Sequence, residues 1–277
     1  MSDLEIRPMG PVIGAEIFGV DLGSDLSDST LAGIEKALLD HLVIAFRGQD
    51  ITPDRQLAFG RRFGAVYCPP MSAFPPDHPE IMLLDTKTPK GAGADSWHYD
   101  ATFMPEPPMA SILRPVMLPA GGGGDTCFAN MYEAYQALSE PLRAMLDGLK
   151  AVHDLSRQLR ISVDRGISPK GFDELQREWP PVEHPVVRTH PVTGRKSLYV
   201  NPMFTQQIVG LSKPESAALL AMLFELSTRP EFTCRVQWQN GTLTLWDNRW
   251  LQHYAIDDYA DYERVMYRVT IRGERPV

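Results

Sequence analysis

The sequence predicts a mainly β protein, a sandwich or jelly roll with helices at its flanks, and three observations carry that prediction. Turn formers recur along the whole chain, with 24 Pro and 21 Gly among 277 residues, as many short strands require. Short apolar or alternating runs outnumber segments with helical periodicity. No internal repeat and no linker interrupts the chain, so residues 1–277 read as one domain.

The elements follow in order. Asp28 to His41 is expected as a helix, opening on an Asp or Ser cap with Leu31, Ile34, Leu38 and Leu39 on one face. Leu42 to Phe46 (LVIAF) is an apolar strand run. Thr52 to Phe63 is a second helix, with Thr52 as its cap and Pro53 at its first position. Ile81 to Leu84 is again strand-like. Ser111 to Met117, Thr233 to Trp238, Thr242 to Trp246 and Val265 to Ile271 mix apolar with polar residues, and several alternate as strands with one buried face do. Lys213 to Leu226 is a third helix, with Pro near its start. Thr86 to Asp95 and Ser156 to Pro180 are polar and read as surface loops, so lid or loop insertions are expected near 67–96 and 156–180.

Composition narrows the function. A net charge of −8 speaks against a nucleic-acid-binding face, which needs a basic excess. No apolar run approaches the roughly 20 residues that cross a bilayer, and Met1 to Glu5 lacks the basic and apolar regions of a secretory signal. Cys68, Cys127 and Cys234 form neither a CxxC pair nor a disulfide framework, so a reducing cytoplasm is expected.

The chemistry starts at Trp97-His98-Tyr99-Asp100. In a strand, residues two apart point to one side, so His98 and Asp100 can reach one ion. Imidazole and carboxylate suit iron(II), manganese or zinc. His78-Pro79-Glu80 has the same spacing but lies in a Pro-rich stretch, where a turn is favoured over a strand. His41, His153, His184, His190 and His253 are the candidates for a third ligand. Arg264 and Arg268 share strand parity, and two guanidiniums on a buried face need anionic partners. Those partners are either nearby acidic residues such as Asp257, Asp258, Asp261 and Glu263 or a carboxylate ligand.

Taken together, these residues resemble the taurine dioxygenase/TfdA family of iron(II)/2-oxoglutarate-dependent dioxygenases. The ordered set is His98-x-Asp100, Thr126 after 25 intervening residues, His253, and Arg264 after ten more. The flanking words are also similar: Trp97-His98-x-Asp100-x-Thr102-Phe103, Gly123-Gly124-Asp125-Thr126, and Trp246-Asp247-Asn248-Arg249 to His253-Tyr254-Ala255. So are Gly14-Ala15-Glu16-Ile17 to Gly19-Val20-Asp21-Leu22, and Phe59-Gly60 to Phe63-Gly64. The resemblance covers nearly the whole chain.

The resemblance implies a double-stranded β-helix (jelly roll, cupin-like). It also implies iron(II) on His98, Asp100 and His253, with 2-oxoglutarate as cosubstrate held by Arg264 and Thr126. The reaction it implies consumes O₂, releases succinate and CO₂, and oxidises a C–H bond of a small organic molecule. Related halogenases lack the carboxylate ligand, so Asp100 favours hydroxylation. Arg268 matches the family arginine that reads an anionic substrate group, and Phe204 matches a pocket wall. Tyr67, Met71, Met203 and Tyr99 are further candidates for the lining, with core packing as the alternative for each. The taurine enzymes carry His and Asn where Pro69 and Ala94 stand, which points to an anion larger than taurine. Family members are commonly dimers or tetramers.

Other readings stay open at this stage. The same cofactor chemistry can end in desaturation, cyclisation or ester cleavage. A zinc or manganese cupin lyase or isomerase would keep the three ligands without needing Thr126 and Arg264. A non-enzymatic β-sandwich binding module would make the metal set accidental.

Overall fold

The expected apolar runs pair into an eight-stranded sheet in a computed structural model that describes residues 4–69, 72–86, 95–259 and 262–277. Strand order is Glu5–Pro8, Ala15–Phe18, Val43–Phe46, Leu243–Asp247, Ala110–Met117, Val265–Ile271 and Val66–Tyr67, with Ile81–Asp85 also paired to Val265–Ile271. A smaller sheet, Thr233–Val236, Thr126–Asn130 and Leu251–Ala255, lies against it, and His98 extends this sheet by a bridge to His253. This is the jelly-roll architecture the sequence predicts.

Alternation along each strand decides what faces the site. In the large sheet Ile44, Phe46, Ile112, Leu243, Leu245, Val269 and Ile271 point outward, where they pack with Ile34 and Leu38 of one helix and Leu57 and Phe59 of another. Leu113, Trp246 and Met266 have the opposite parity. They meet Phe128, Val236 and Leu251 of the small sheet, so the space between the sheets is a second core. Arg268 and Thr270 share the parity of Met266 and therefore project into that space.

The three helices expected from periodicity are present. Asp28–His41 is capped by the Ser27 hydroxyl, and Pro53–Arg61 by that of Thr52. Lys213–Ser227 opens on a Ser212/Glu215 capping box.

Residues 156–180 depart from expectation. Rather than a surface loop, they hold helices Ser156–Asp164 and Phe172–Glu178. Neither has a side-chain cap, so the usual start signal is missing from the sequence. Leu159 and Leu175 bury themselves against Met203 and Phe204, and this satellite core stabilises the helices. Of the expected loop at 86–95, residues 87–94 lie outside the described residues, as does Met71. Cys68, Cys127 and Cys234 are all unpaired. No helix among the described residues is long and apolar enough to cross a membrane.

Candidate active site

His98 and His253 are brought together by the backbone. Each donates its N–H to the other's carbonyl, at 3.0 and 2.8 Å. Such a pair puts both side chains on one face of the sheet, and the ring centroids stand 4.1 Å apart. Asp100 Oδ1 lies 3.8 Å from His98 Nε2 and 3.3 Å from His253 Nε2. The three donor atoms fall within 4.8 Å of one another, and all three residues are buried. Among the described residues this is the only such group of His, Cys, Asp and Glu.

Neighbours prepare each donor. His98 Nδ1 is 2.7 Å from the Ser96 carbonyl, which can only accept. The proton therefore sits on Nδ1, and the Nε2 lone pair is free. Burial and the adjacent His253 ring push His98 down to about 3, so its imidazole is neutral. Burial alone would raise the Asp100 carboxyl, but the Arg268 guanidinium and the two imidazoles outweigh it and hold the group well below the usual carboxylate range. Asp100 Oδ2 accepts from Ser111 Oγ at 3.0 Å and contacts Arg268 Nη2. With Oδ2 so engaged, Oδ1 is left facing the imidazoles.

The Asp100 backbone is clamped as well. Its N–H donates to Asn248 Oδ1 at 2.8 Å, and its carbonyl accepts from Asn248 Nδ2 at 3.2 Å. The next residue, Ala101, has φ +48°, an uncommon conformation for a residue with a side chain. Thr102 is held by His153, Asn201 and His184. The sequence reading missed Ser111 and Asn248 as supports. Ser111 could have been found from its inward parity beside Leu113, whereas Asn248, though part of a family word, lies 148 positions from a partner that no local rule connects to it.

The other histidines are occupied elsewhere. His78 bonds Asp54 and Glu80 pairs with Arg61, so the rival His-x-Glu is dispersed. His190 Nε2 is 3.1 Å from Asp247, whose carboxylate is also gripped by Arg249. His153 and His184 support Thr102, and His41 ends the helix Asp28–His41 outside the cluster.

Thr126 and Arg264 flank one glycine turn. Arg264 Nη2 donates to the Gly124 carbonyl at 3.0 Å, and a Cβ on Gly124 would stand 2.7 Å from Arg264 Nε. Only glycine lets this arginine approach, and φ +70° at Gly124 demands it independently. Arg264 is 6% exposed and packs over the Tyr259 ring at 5.0 Å. Among the described residues it makes no ion pair, its Nε has no partner, and burial lowers its pKa. A buried guanidinium in that state is built for an anion.

Arg268 projects inward as expected. Its Nη2 bonds Ser111 and contacts Asp100, while its Nε has no partner. Tyr67 lines a cavity of about 290 Å³ with Met104, Glu106 and Arg272, and its hydroxyl oxygen is buried and unbonded. Phe204 packs on Phe103 at 5.3 Å beneath the unforeseen helices.

Tyr99 corrects the sequence reading. It lies between His98 and Asp100, so alternation turns it to the opposite side. There it is fully buried, its ring tilted against Tyr199 at 4.7 Å, and it donates to the Leu198 carbonyl. It is a core residue and does not line the site. Pro69 is described, but Ala94 lies outside the described residues.

Comparison with known proteins agrees with this geometry. The family model described as Taurine catabolism dioxygenase TauD, TfdA family matches residues 5–270. The chain is 41% identical over 280 residues to an alpha-ketoglutarate-dependent sulfate ester dioxygenase of Pseudomonas putida, covering 99% of this chain and 91% of that protein. It is 40% identical over 278 residues to an alkylsulfatase of Acinetobacter baylyi, covering 99% of this chain and 86% of that protein. A crystal structure of a taurine dioxygenase from Burkholderia xenovorans superposes with a TM-score of 0.85 at 39% identity, covering 99% of this chain and 91% of the other.

Proposed function

The chain belongs to the taurine catabolism dioxygenase TauD, TfdA family and is a 2-oxoglutarate-dependent dioxygenase, and from that premise we propose that it is iron(II)-dependent and oxidises small organic sulfate esters. The observation that carries the proposal is the cluster of the His98, Asp100 and His253 donors, together with two buried arginines whose Nε atoms lack partners. The donor set fits the group: two imidazoles and one carboxylate, close enough to share one ion, are the ligand types that suit iron(II). Iron(II) held there would couple the oxidative decarboxylation of 2-oxoglutarate by O₂ to oxidation of a substrate C–H bond.

The protein's own part is binding and orientation. His98 and His253 offer Nε2, and Asp100 offers Oδ1 while Ser111 and Arg268 hold Oδ2. Arg264 pairs its planar fork with the distal carboxylate of 2-oxoglutarate, and Thr126 adds a hydroxyl donor. Phe128 and Trp246 pack on the His253 ring, at 6.1 and 5.0 Å, and keep water from the reacting groups. Arg268 Nε is left to read the substrate's anionic group.

The sulfate ester is supported by the two relatives above, at 40% and 41% identity, whose names specify such esters. Oxidation at the carbon bearing the ester oxygen would give a hydroxyl beside a good leaving group. That product collapses as its C=O forms, its C–O bond to sulfate breaks and the hydroxyl proton goes to solvent. The outcome is an aldehyde and inorganic sulfate, so ester cleavage follows from hydroxylation.

Incubation with iron(II), 2-oxoglutarate, O₂ and a series of linear alkyl sulfates should release succinate and sulfate in equal amounts. The parent alcohols should release neither sulfate nor coupled succinate. Equal succinate release with the uncharged alcohols, or coupled turnover of taurine alone, would contradict the assignment.

A further inference from the structure

We propose that Trp238 is a positioning residue for 2-oxoglutarate, its indole N–H holding one lone pair of the Thr126 hydroxyl so that the hydroxyl hydrogen is left to donate to the cosubstrate's distal carboxylate. The inference rests on the reading that Thr126 and Arg264 hold that carboxylate, and it adds a residue that the reading does not contain.

The geometry is direct. Trp238 Nε1 donates to Thr126 Oγ1 at 3.1 Å, and both side chains are buried. An indole N–H can only donate, so Thr126 Oγ1 must be the acceptor. The hydroxyl hydrogen is therefore not spent on Trp238. Among the described residues Thr126 Oγ1 has no other hydrogen-bond partner, so that hydrogen is available to an incoming acceptor. A carboxylate is acceptor-only, and a freely turning hydroxyl can present it with a lone pair instead of a hydrogen. By holding one lone pair, the indole keeps the hydrogen off its own side and so narrows the orientations open to it before the cosubstrate arrives.

The surrounding chain holds both partners in register. Thr126 pairs with Val236 across the small sheet, which brings the end of strand Thr233–Val236 beside it. Asp125 Oδ1 accepts from Trp238 N–H at 3.3 Å, while its Oδ2 takes Arg235 Nε at 2.7 Å. Gly124, Asp125 and Thr126 thus in succession contact Arg264, anchor the Trp238 backbone and receive the Trp238 indole. Arg264 and the Thr126 hydroxyl are fixed by the same short turn, as two donors to one carboxylate need to be.

The test is a double-mutant cycle on the iron(II)-loaded protein without O₂, reading the dissociation constant of 2-oxoglutarate. Trp238→Phe keeps an aromatic ring and drops the N–H. It should raise that constant about three- to tenfold, the worth of one ordinary hydrogen bond. In a Thr126→Ala background the same change should do nothing further, and iron(II) affinity should be unchanged in both backgrounds. Replacing the Trp238 indole by benzothiophene, through an unnatural amino acid, keeps ring volume and removes only the N–H. It should reproduce the effect if Trp238→Phe folds poorly. An equal penalty in both backgrounds, or none in the parent, would overturn the proposal alone. If Thr126→Ala leaves 2-oxoglutarate affinity untouched, the reading of Thr126 fails and takes the proposal with it.

Discussion

Replacing His253 with alanine is expected to abolish metal binding and turnover while leaving the fold in place. His253 supplies a donor 3.3 Å from Asp100 Oδ1. Its contribution to the fold runs mainly through the backbone: strand Leu251–Ala255 pairs with Thr126–Asn130, and the bridge to His98 uses only main-chain atoms. Alanine keeps those bonds and removes the imidazole. Loss of a supporting partner of a metal ligand typically costs about 10–100-fold in metal affinity, so loss of the ligand itself should exceed that. Calorimetric titration with iron(II) or cobalt(II) under argon should show no tight site, while the metal-free variant melts near the metal-free parent. Full activity in His253→Ala would remove it from the ligand set and reopen His153, His184 and His190, although each of these has another partner.

Arg264→Ala should raise the 2-oxoglutarate requirement by at least about a hundredfold. Removing one partner of a buried charged pair costs about 3–5 kcal/mol, and each 1.4 kcal/mol is tenfold in affinity. The full effect is expected here because no ion pair to a described residue competes for Arg264 and its Nε is unbonded. Arg264→Lys should fall between parent and alanine, since an ammonium keeps the charge but not the planar fork. Iron(II) affinity should not move, because none of the three donors touches Arg264. An unchanged apparent affinity for 2-oxoglutarate would shift the anchor to Arg268.

What could be read from the sequence is what local rules encode. The helices at Asp28–His41 and Lys213–Ser227 carry both periodicity and caps, and strand Val265–Ile271 mixes apolar with polar residues as a largely buried strand does; all were expected within a residue or two. The cluster of His98, Asp100 and His253 was legible because His98-x-Asp100 is a strand-parity signal and the spacing to His253 and Arg264 matches a family. The helices at Ser156–Asp164 and Phe172–Glu178 were not, since tertiary burial of Leu159 and Leu175 makes them without capping signals. Tyr99 was misplaced because its neighbours in sequence are site residues, while alternation sends it the other way. Arg268 was expected to meet a substrate anion, and its contact with Asp100 joins residues far apart in the chain, which parity alone cannot foresee. The Trp238–Thr126 bond spans 112 positions and was equally invisible.

The central claim is that this protein holds iron(II) and 2-oxoglutarate together at His98, Asp100, His253, Thr126 and Arg264. Visible spectroscopy under argon tests it most directly. Adding iron(II) and 2-oxoglutarate to the metal-free protein should give a weak charge-transfer band that neither gives alone. His253→Ala should lack that band, and Arg264→Ala should require far more 2-oxoglutarate to develop it. An alkyl sulfate should then perturb the band. Absence of any band, combined with tight zinc binding and turnover that needs no 2-oxoglutarate, would contradict the account.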